Sequence, residues 1–400
     1  MSTSRDAIIT RLRVRNYRSL ADVDIHLAPL TVLVGPNGAG KSNVVDVLRF
    51  VRDALTRGLD AAVLDRHGMS AIRRWSGKGR PFDVHIQLSL RGQSWSGEYG
   101  FTLGSQRRGE YRVKWEKCSV TEDGGTDGEG PVTSALETRN GKWVRLPIEA
   151  QKLPPERLDV SPTALMLPAV GYVLPGARLL YYFLTGMGFY TLYPDILRPP
   201  QKAANPAGLS EKGHNLASVL RNLKRSKSPR LSSMLEALGK VVPGVRDYYV
   251  SQVGGYLVTR LRHAPIRNGD RGPAFELAQE SDGTLRMLAI LTALYQDPPR
   301  SLLTIEEPEL TVHPGALGVL RDELQEASLR TQIVITTHSP DLISGFPADV
   351  LRAVEKVDGV TQVGPVSDVQ REAIEEMLFS PGELMRMEGL RREAADPLPE

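Results

Sequence analysis

Leu30-Thr31-Val32-Leu33-Val34-Gly35-Pro36-Asn37-Gly38-Ala39-Gly40-Lys41-Ser42 is the stretch that decides the fold of this chain. Its first five residues form a nearly continuous apolar run, the pattern of a strand buried on both faces of a sheet. The residues Gly35 to Ser42 then fit the spacing G-x-x-x-x-G-K-S in full. A helix is expected from Ser42 to about Ala54, with Val44, Val45, Val47, Leu48 and Val51 on its inner side. A glycine-rich turn between a buried strand and a helix lets successive backbone N–H groups face one anion, and the helix N-terminus adds partial positive charge. On this reading Lys41 reaches the β- and γ-phosphates of a nucleotide, and the Ser42 hydroxyl is suited to ligate Mg2+.

Two more apolar runs end in polar residues. Leu302-Leu303-Thr304-Ile305 leads into Glu306-Glu307-Pro308-Glu309, and Gln332 to Thr336 leads into Thr337-His338-Ser339-Pro340. Carboxylates at the carboxyl end of a parallel sheet stand where ligands bind. One can hold the water shell of a metal ion and a second can polarise an attacking water. Glu306 takes the metal role here and Glu307 the water role. A histidine just past the third strand, His338, is suited to donate a hydrogen bond to a γ-phosphate. Leu277 to Thr284 precedes an apolar helix, Leu285 to Tyr295, and Ser281 or Asp282 suits its N-cap.

Away from these motifs, Leu12 and Val14 alternate with Arg11, Arg13 and Arg15, a half-buried strand whose hairpin partner is Ala21 to Leu27. Phe82, Val84, Ile86, Leu88 and Leu90 alternate too; with Tyr99 to Leu103 and Tyr111 to Trp115 they predict an antiparallel meander. Helices are expected at Asn215–Leu223, Ser232–Leu238 and Ala316–Ala327. The fold class is therefore α/β with two lobes. Lobe I (1–155) holds the phosphate loop and the meander, a helical insert spans 156–245, and lobe II (246–400) holds the acidic strand end, the histidine and a helical tail.

Composition excludes several classes. With 400 residues, 41% of them hydrophobic, the chain can bury a large core without staples. Its single cysteine, Cys118, rules out an internal disulfide and a cysteine-based zinc site. A formal charge of +3 argues no nucleic-acid binding by itself, so only a local patch could. Arg221, Lys224, Arg225, Lys227 and Arg230 form such a patch, although no aromatic residue lies among them to stack on bases. The most apolar stretch, Leu165 to Leu184, is interrupted by Pro168, Pro175 and Arg178 and is a poor membrane span. Residues 1–11 lack an apolar signal core, so a cytoplasmic protein is expected.

The order of phosphate loop, S-x-G-T, E-E-P-E and T-H-S-P resembles the ABC-type ATPase heads of the SMC, RecF and OLD group. Arg15-Asn16-Tyr17-Arg18-Ser19-Leu20, Gly213 to Leu220 and Phe379 to Leu384 are similar to weaker motifs of its small bacterial members. The resemblance implies an Mg-dependent ATPase forming a head-to-head homodimer. Each nucleotide then lies between one copy's phosphate loop and the other's Ser281 and Gly283, with a D-loop at about Glu309 to Pro314. Arg18 becomes a nucleotide contact by its match. The usual first acid is Asp, so Glu306 departs from the pattern by one methylene and leaves the metal geometry open. Gln87 and Gln151 both qualify as the Mg-sensing glutamine. The resemblance further implies a switch, acting in DNA metabolism or repair with DNA as partner, or in anti-phage defence with a nuclease or toxin partner. No D-x-D occurs in the 62 residues after His338, so no built-in nuclease is expected. A transporter subunit and a non-hydrolysing scaffold are the alternatives.

Overall fold

The structure, a computed structural model, describes residues 7–74, 83–106, 110–123, 131–146, 161–265 and 271–393. In chain order the strands are β1 (Ala7–Tyr17), β2 (Leu20–His26), β3 (Leu30–Val34), β4 (Val84–Gly92), β5 (Trp95–Ser105), β6 (Tyr111–Glu122), β7 (Val132–Arg139) and β8 (Lys142–Arg145). They continue as β9 (Gly188–Tyr190), β10 (Gln201–Lys202), β11 (Val245–Val253), β12 (Tyr256–His263), β13 (Ala274–Glu276), β14 (Leu302–Glu306), β15 (Gln332–Thr337), β16 (Leu351–Val357) and β17 (Val360–Pro365). The chain divides into two compact units. The first is Met1–Met187 with Leu351–Arg371 and Leu390–Glu400, and the second is Gly188–Val350 with Glu372–Gly389.

In the first unit the strand order is β8-β7-β6-β5-β4-β1-β2-β17-β16-β3. Strands β4 to β8 form the expected antiparallel meander, with Ile86 opposite Phe101 and Cys118 opposite Leu136. Alternation explains β1: Leu12 and Val14 are buried, while Arg11 and Arg13 face outward and pair with Asp24 across β2. All five residues of β3 are buried. This strand pairs in parallel with β16, which returns from residue 351. Helix Lys41–Thr56 follows the loop after β3 and buries Val44, Val45, Val47, Leu48, Phe50 and Val51. The Phe50 ring packs between those of Tyr17 and Phe101, 5.8 and 6.2 Å away. Helix Pro175–Thr185 packs on helix Lys41–Thr56 and on β6.

The second unit has parallel β15, β14 and β9 in that order, and a small antiparallel sheet in which β12 lies between β10 and β11 and also pairs β13. Its central helix, Asp282–Tyr295, is buried from Thr284 to Tyr295. Helices Leu216–Arg225, Arg230–Val241 and Leu317–Ser328 lie within a turn of their expected positions. Two strand sets escape a sequence reading. Strand β9 has only three residues, and the β16–β17 hairpin stands in the segment expected to be a helical tail. The apolar content of β16 is broken by Arg352, Glu355 and Lys356, so its periodicity is weak. Of the two candidate glutamines, Gln87 lies within β4 opposite Gly100, and Gln151 lies outside the described residues.

Candidate functional site

The loop Gly35–Ser42 in the first unit is shaped by contacts that only glycine permits at two positions. Gly40 has φ +111, and a Cβ there would meet the Thr361 hydroxyl at 2.0 Å. Gly35 runs against the backbone of β16, where a Cβ would lie 2.1 Å from the Val354 carbonyl oxygen. Ala39 is buried; Pro36, Asn37 and Gly38 are exposed at the tip. A polar chain fixes the loop. Thr361 donates to the Ala39 carbonyl at 2.7 Å, shares a 2.7 Å hydrogen bond with Ser19, and Asn43 donates to Ser19 at 2.6 Å. Ser19 belongs to the Arg15–Leu20 motif and Thr361 to none; a tertiary contact across 342 positions unites them.

The Lys41 side chain is buried and curls over the loop, donating to the carbonyls of Gly35 at 2.6 Å and Pro36 at 3.0 Å. Phosphate oxygens bind an ammonium through charge-assisted bonds, stronger than those to neutral carbonyls. Ser42 stands exposed at the start of helix Lys41–Thr56, whose first turn carries no acidic residue to repel an anion. The cradle therefore fits a polyphosphate. Among the described residues no cluster of three or more His, Cys, Asp or Glu side chains could hold a metal ion. Ser42 with phosphate oxygens remains a suitable donor set for Mg2+, a hard cation that keeps several waters and needs few protein ligands.

Arg18 has a definite place. Its guanidinium pairs with Asp46 of helix Lys41–Thr56 at 3.0 Å, beside a network in which Asp46 also accepts from Tyr17 at 2.6 Å and from Arg66 at 3.0 Å. Arg66 bridges to Asp53 as well. Burial works against the Arg66 charge, but Asp46, Tyr17 and Asp53 together outweigh it and the guanidinium is held more firmly protonated than usual. Burial, with the Asp46 charge, likewise drives the Tyr17 hydroxyl well above its ordinary range. Arg18 is thus the half-exposed edge of a charge network centred on buried Asp46 and Arg66.

In the second unit, β14 and β15 lie in parallel register, with Glu306 opposite Thr336. Glu306 accepts a 3.4 Å hydrogen bond from Thr191, just after β9. Glu307 follows in the left-handed region at φ +46, and its N–H donates to the Thr336 carbonyl at 2.9 Å. The Glu307 carboxylate lies 3.2 Å from His338 Nδ1, so the structure brings these two assigned residues together. Glu309 is buried and accepts from the Thr337 hydroxyl; burial pushes its carboxyl pKa up, and that hydroxyl partly offsets the rise.

Ser281 caps helix Asp282–Tyr295 by accepting from the Thr284 N–H at 3.2 Å. Gly283 sits where a Cβ would come within 2.7 Å of the Thr311 carbonyl oxygen. An open cleft of about 510 Å³ beside this end is lined by Ser281, Asp282, Gly283, Thr311 and His313 among others. Arg198 anchors the segment before the cap, donating to the carbonyls of Ala278 and Glu280 at 3.0 and 3.1 Å.

Three of the five basic residues in the 221–230 patch are engaged by their own chain. Arg221 donates to Gln252 at 3.3 Å, Lys224 pairs with Asp247 at 2.6 Å, and Arg230 donates to the Gln296 carbonyl at 3.1 Å. Arg225 and Lys227 are exposed. Among the described residues no helix is long and apolar enough to cross a membrane.

Comparison with known proteins adds two family models. One, an AAA ATPase domain, matches residues 8–74. The other, an AAA domain described as putative AbiEii toxin of a type IV TA system, matches residues 190–344. An OLD nuclease of Thermus scotoductus is 48% identical over 44 residues, which is 11% of this chain and 8% of that protein. The DNA replication and repair protein RecF of Corynebacterium jeikeium is 30% identical over 104 residues, 25% of this chain and 24% of that one. The chain thus spans less than a quarter of the length of either relative. The SMC head domain of Pyrococcus furiosus, crystallised with the C-terminal domain of ScpA, has a TM-score of 0.50 at 14% identity, over 93% of this chain and 99% of that one, which shows the shared fold. Two AAA ATPase models on one chain, the likeness to an OLD nuclease and a RecF, and the shared fold together support an ABC/AAA ATPase of the SMC, RecF and OLD group.

Proposed function

We propose that this chain binds ATP in the Gly35–Ser42 loop, hydrolyses it with Glu307, and works as a nucleotide-gated head-to-head dimer. The observation that carries the proposal is the Lys41 ammonium, buried over a glycine cradle and donating to the Gly35 and Pro36 carbonyls of that cradle. The backbone N–H groups of the loop and Lys41 bind the β- and γ-phosphates. Glu307, with its backbone pinned to Thr336, accepts a proton from water in line with the γ-phosphate. His338, beside the Glu307 carboxylate, orients that group and donates toward the phosphate. Mg2+, when bound through Ser42 and Glu306, supplies positive charge against the phosphate oxygens. The second copy contributes Ser281 and Gly283 at a helix N-terminus, whose partial positive charge suits a γ-phosphate. Closure needs the γ-phosphate to bind the closed dimer more tightly than the open pair.

The switch acts in DNA metabolism on the likeness to RecF. The family model described as a putative toxin supports a second reading, anti-phage defence with a nuclease or toxin partner. Glu307→Gln keeps size and loses the base. Phosphate release is expected to fall by about 10²–10⁴-fold, with ATP-bound dimer accumulating in light scattering. An unchanged rate and an unchanged mass with ATP would reduce the chain to a non-hydrolysing scaffold. Titration of duplex and single-stranded DNA at two salt concentrations, with ATP present, separates the two settings. Binding that weakens with salt supports DNA metabolism, and negligible affinity throughout supports defence.

A further inference from the structure

Arg286 is a charge in an otherwise apolar helix. It lies in Asp282–Tyr295, one turn beyond the Ser281 cap, and is 2% exposed. No carboxylate forms a salt bridge with it among the described residues; its partners are backbone carbonyls. One guanidinium nitrogen donates to the Leu192 carbonyl. The other donates to the Glu307 carbonyl at 2.6 Å and to the Glu306 carbonyl at 3.3 Å. Burial lowers the Arg286 pKa, and the nearby charges of Glu309, Tyr193 and Glu307 oppose that.

One of these bonds, at 2.6 Å, falls on the one residue of the Glu306–Glu309 turn with a left-handed backbone. Glu307 has φ +46, a conformation that glutamate adopts only when its surroundings impose it. Its N–H is held by Thr336 at 2.9 Å and its carbonyl by Arg286 at 2.6 Å, so both flanking peptides are fixed. The Arg286 bond is the one that comes from another helix, the helix that also carries Ser281 and Gly283 at its N-terminus.

We propose that Arg286 is a positioning residue: it locks the strained Glu307 turn, and so makes the aim of that carboxylate depend on the helix that begins at Ser281. The inference rests on the ATPase reading above and deepens it. A lysine cannot copy the guanidinium, because a single ammonium lacks the planar fork that spans separate carbonyls.

The test uses the full chain with Mg2+ and ATP, comparing wild type, Glu307→Gln, Arg286→Met and Arg286→Lys. Methionine fills the space without donors. Arg286→Met is expected to lower kcat about 100-fold, the loss that a displaced catalytic group produces. Its KM and its affinity for a fluorescent ATP analogue should stay within about twofold of wild type, because the phosphate loop belongs to the other unit and none of its residues bonds to Arg286. Arg286→Lys is expected to recover part of kcat, and it carries the comparison if the methionine variant fails to fold. Unchanged kcat in Arg286→Met with Glu307→Gln inactive would overturn this inference alone. So would equal losses in kcat and ATP affinity, or a folded lysine variant no better than a folded methionine one. Wild type without turnover, or Glu307→Gln as fast as wild type, would overturn the ATPase reading and this inference with it.

Discussion

Gly40 shows how much one residue decides. Its φ of +111 and the Thr361 hydroxyl 2.0 Å from a notional Cβ leave no room for a side chain. Gly40→Ala must displace Thr361, which breaks the bonds from that hydroxyl to Ala39 and Ser19. A cost of about 1–3 kcal/mol in stability is expected from the backbone strain. ATP affinity should fall at least about tenfold as the loop opens; melting curves and calorimetric titration with ATP check the pair of effects. The glycine was legible in the sequence through its motif. The reason it must be glycine was not, because Thr361 lies on β17, 321 positions away. Arg18 is the complementary case. Its motif match points to a nucleotide contact, and the structure adds Asp46 as a partner at 3.0 Å that no local pattern announces.

At the scale of elements, helix Asp282–Tyr295 joins the Ser281 cap, the Arg286 contacts and the β14 end in one body. Ser281→Ala removes the oxygen that accepts from the Thr284 N–H. The stability loss should be about 1 kcal/mol, the ordinary worth of an N-cap. ATP turnover should fall by more than that loss explains, because the same hydroxyl is assigned to the partner copy's nucleotide. Denaturant unfolding and steady-state phosphate release distinguish the two contributions. The cap itself was legible, since a serine stands directly before an apolar run. Arg286 carried a signal too, a lone charge within that run, but the sequence could not say whether it met solvent, a carboxylate or, as here, backbone carbonyls.

At the scale of the molecule, the meander of the first unit is tied to its helices by a buried acid. Glu116 on β6 is fully buried and accepts from the Met166 N–H at 2.6 Å, the Leu167 N–H at 3.1 Å and the Tyr99 hydroxyl at 2.9 Å. Burial raises its pKa from 4.5 to about 7, against the lowering effect of those three donors. The folded state therefore binds a proton more readily than the unfolded one between pH 4.5 and about 7. The contribution of Glu116 to stability is highest below that window and declines as pH rises through it, by up to about 3 kcal/mol. Glu116→Gln, which cannot titrate, should show a flatter dependence of melting temperature on pH across that range. A difference between the two proteins that does not vary with pH would contradict the assignment.

The sequence by itself determined the elements whose signals are local. An unbroken apolar run makes a buried strand, glycines at fixed spacing make a loop that faces an anion, and a serine before an apolar period makes a cap. These features located Gly35–Ser42, Glu306, Glu307, His338 and Ser281 within their strands, loops and helices. Tertiary structure alone decided what holds those residues in place. Thr361 under the loop, Asp46 beside Arg18, Thr336 on the Glu307 N–H and Arg286 on its carbonyl are contacts between segments 21 to 322 positions apart. Hydrogen bonds of that range depend on which strands become neighbours, and strand order follows from packing the whole chain.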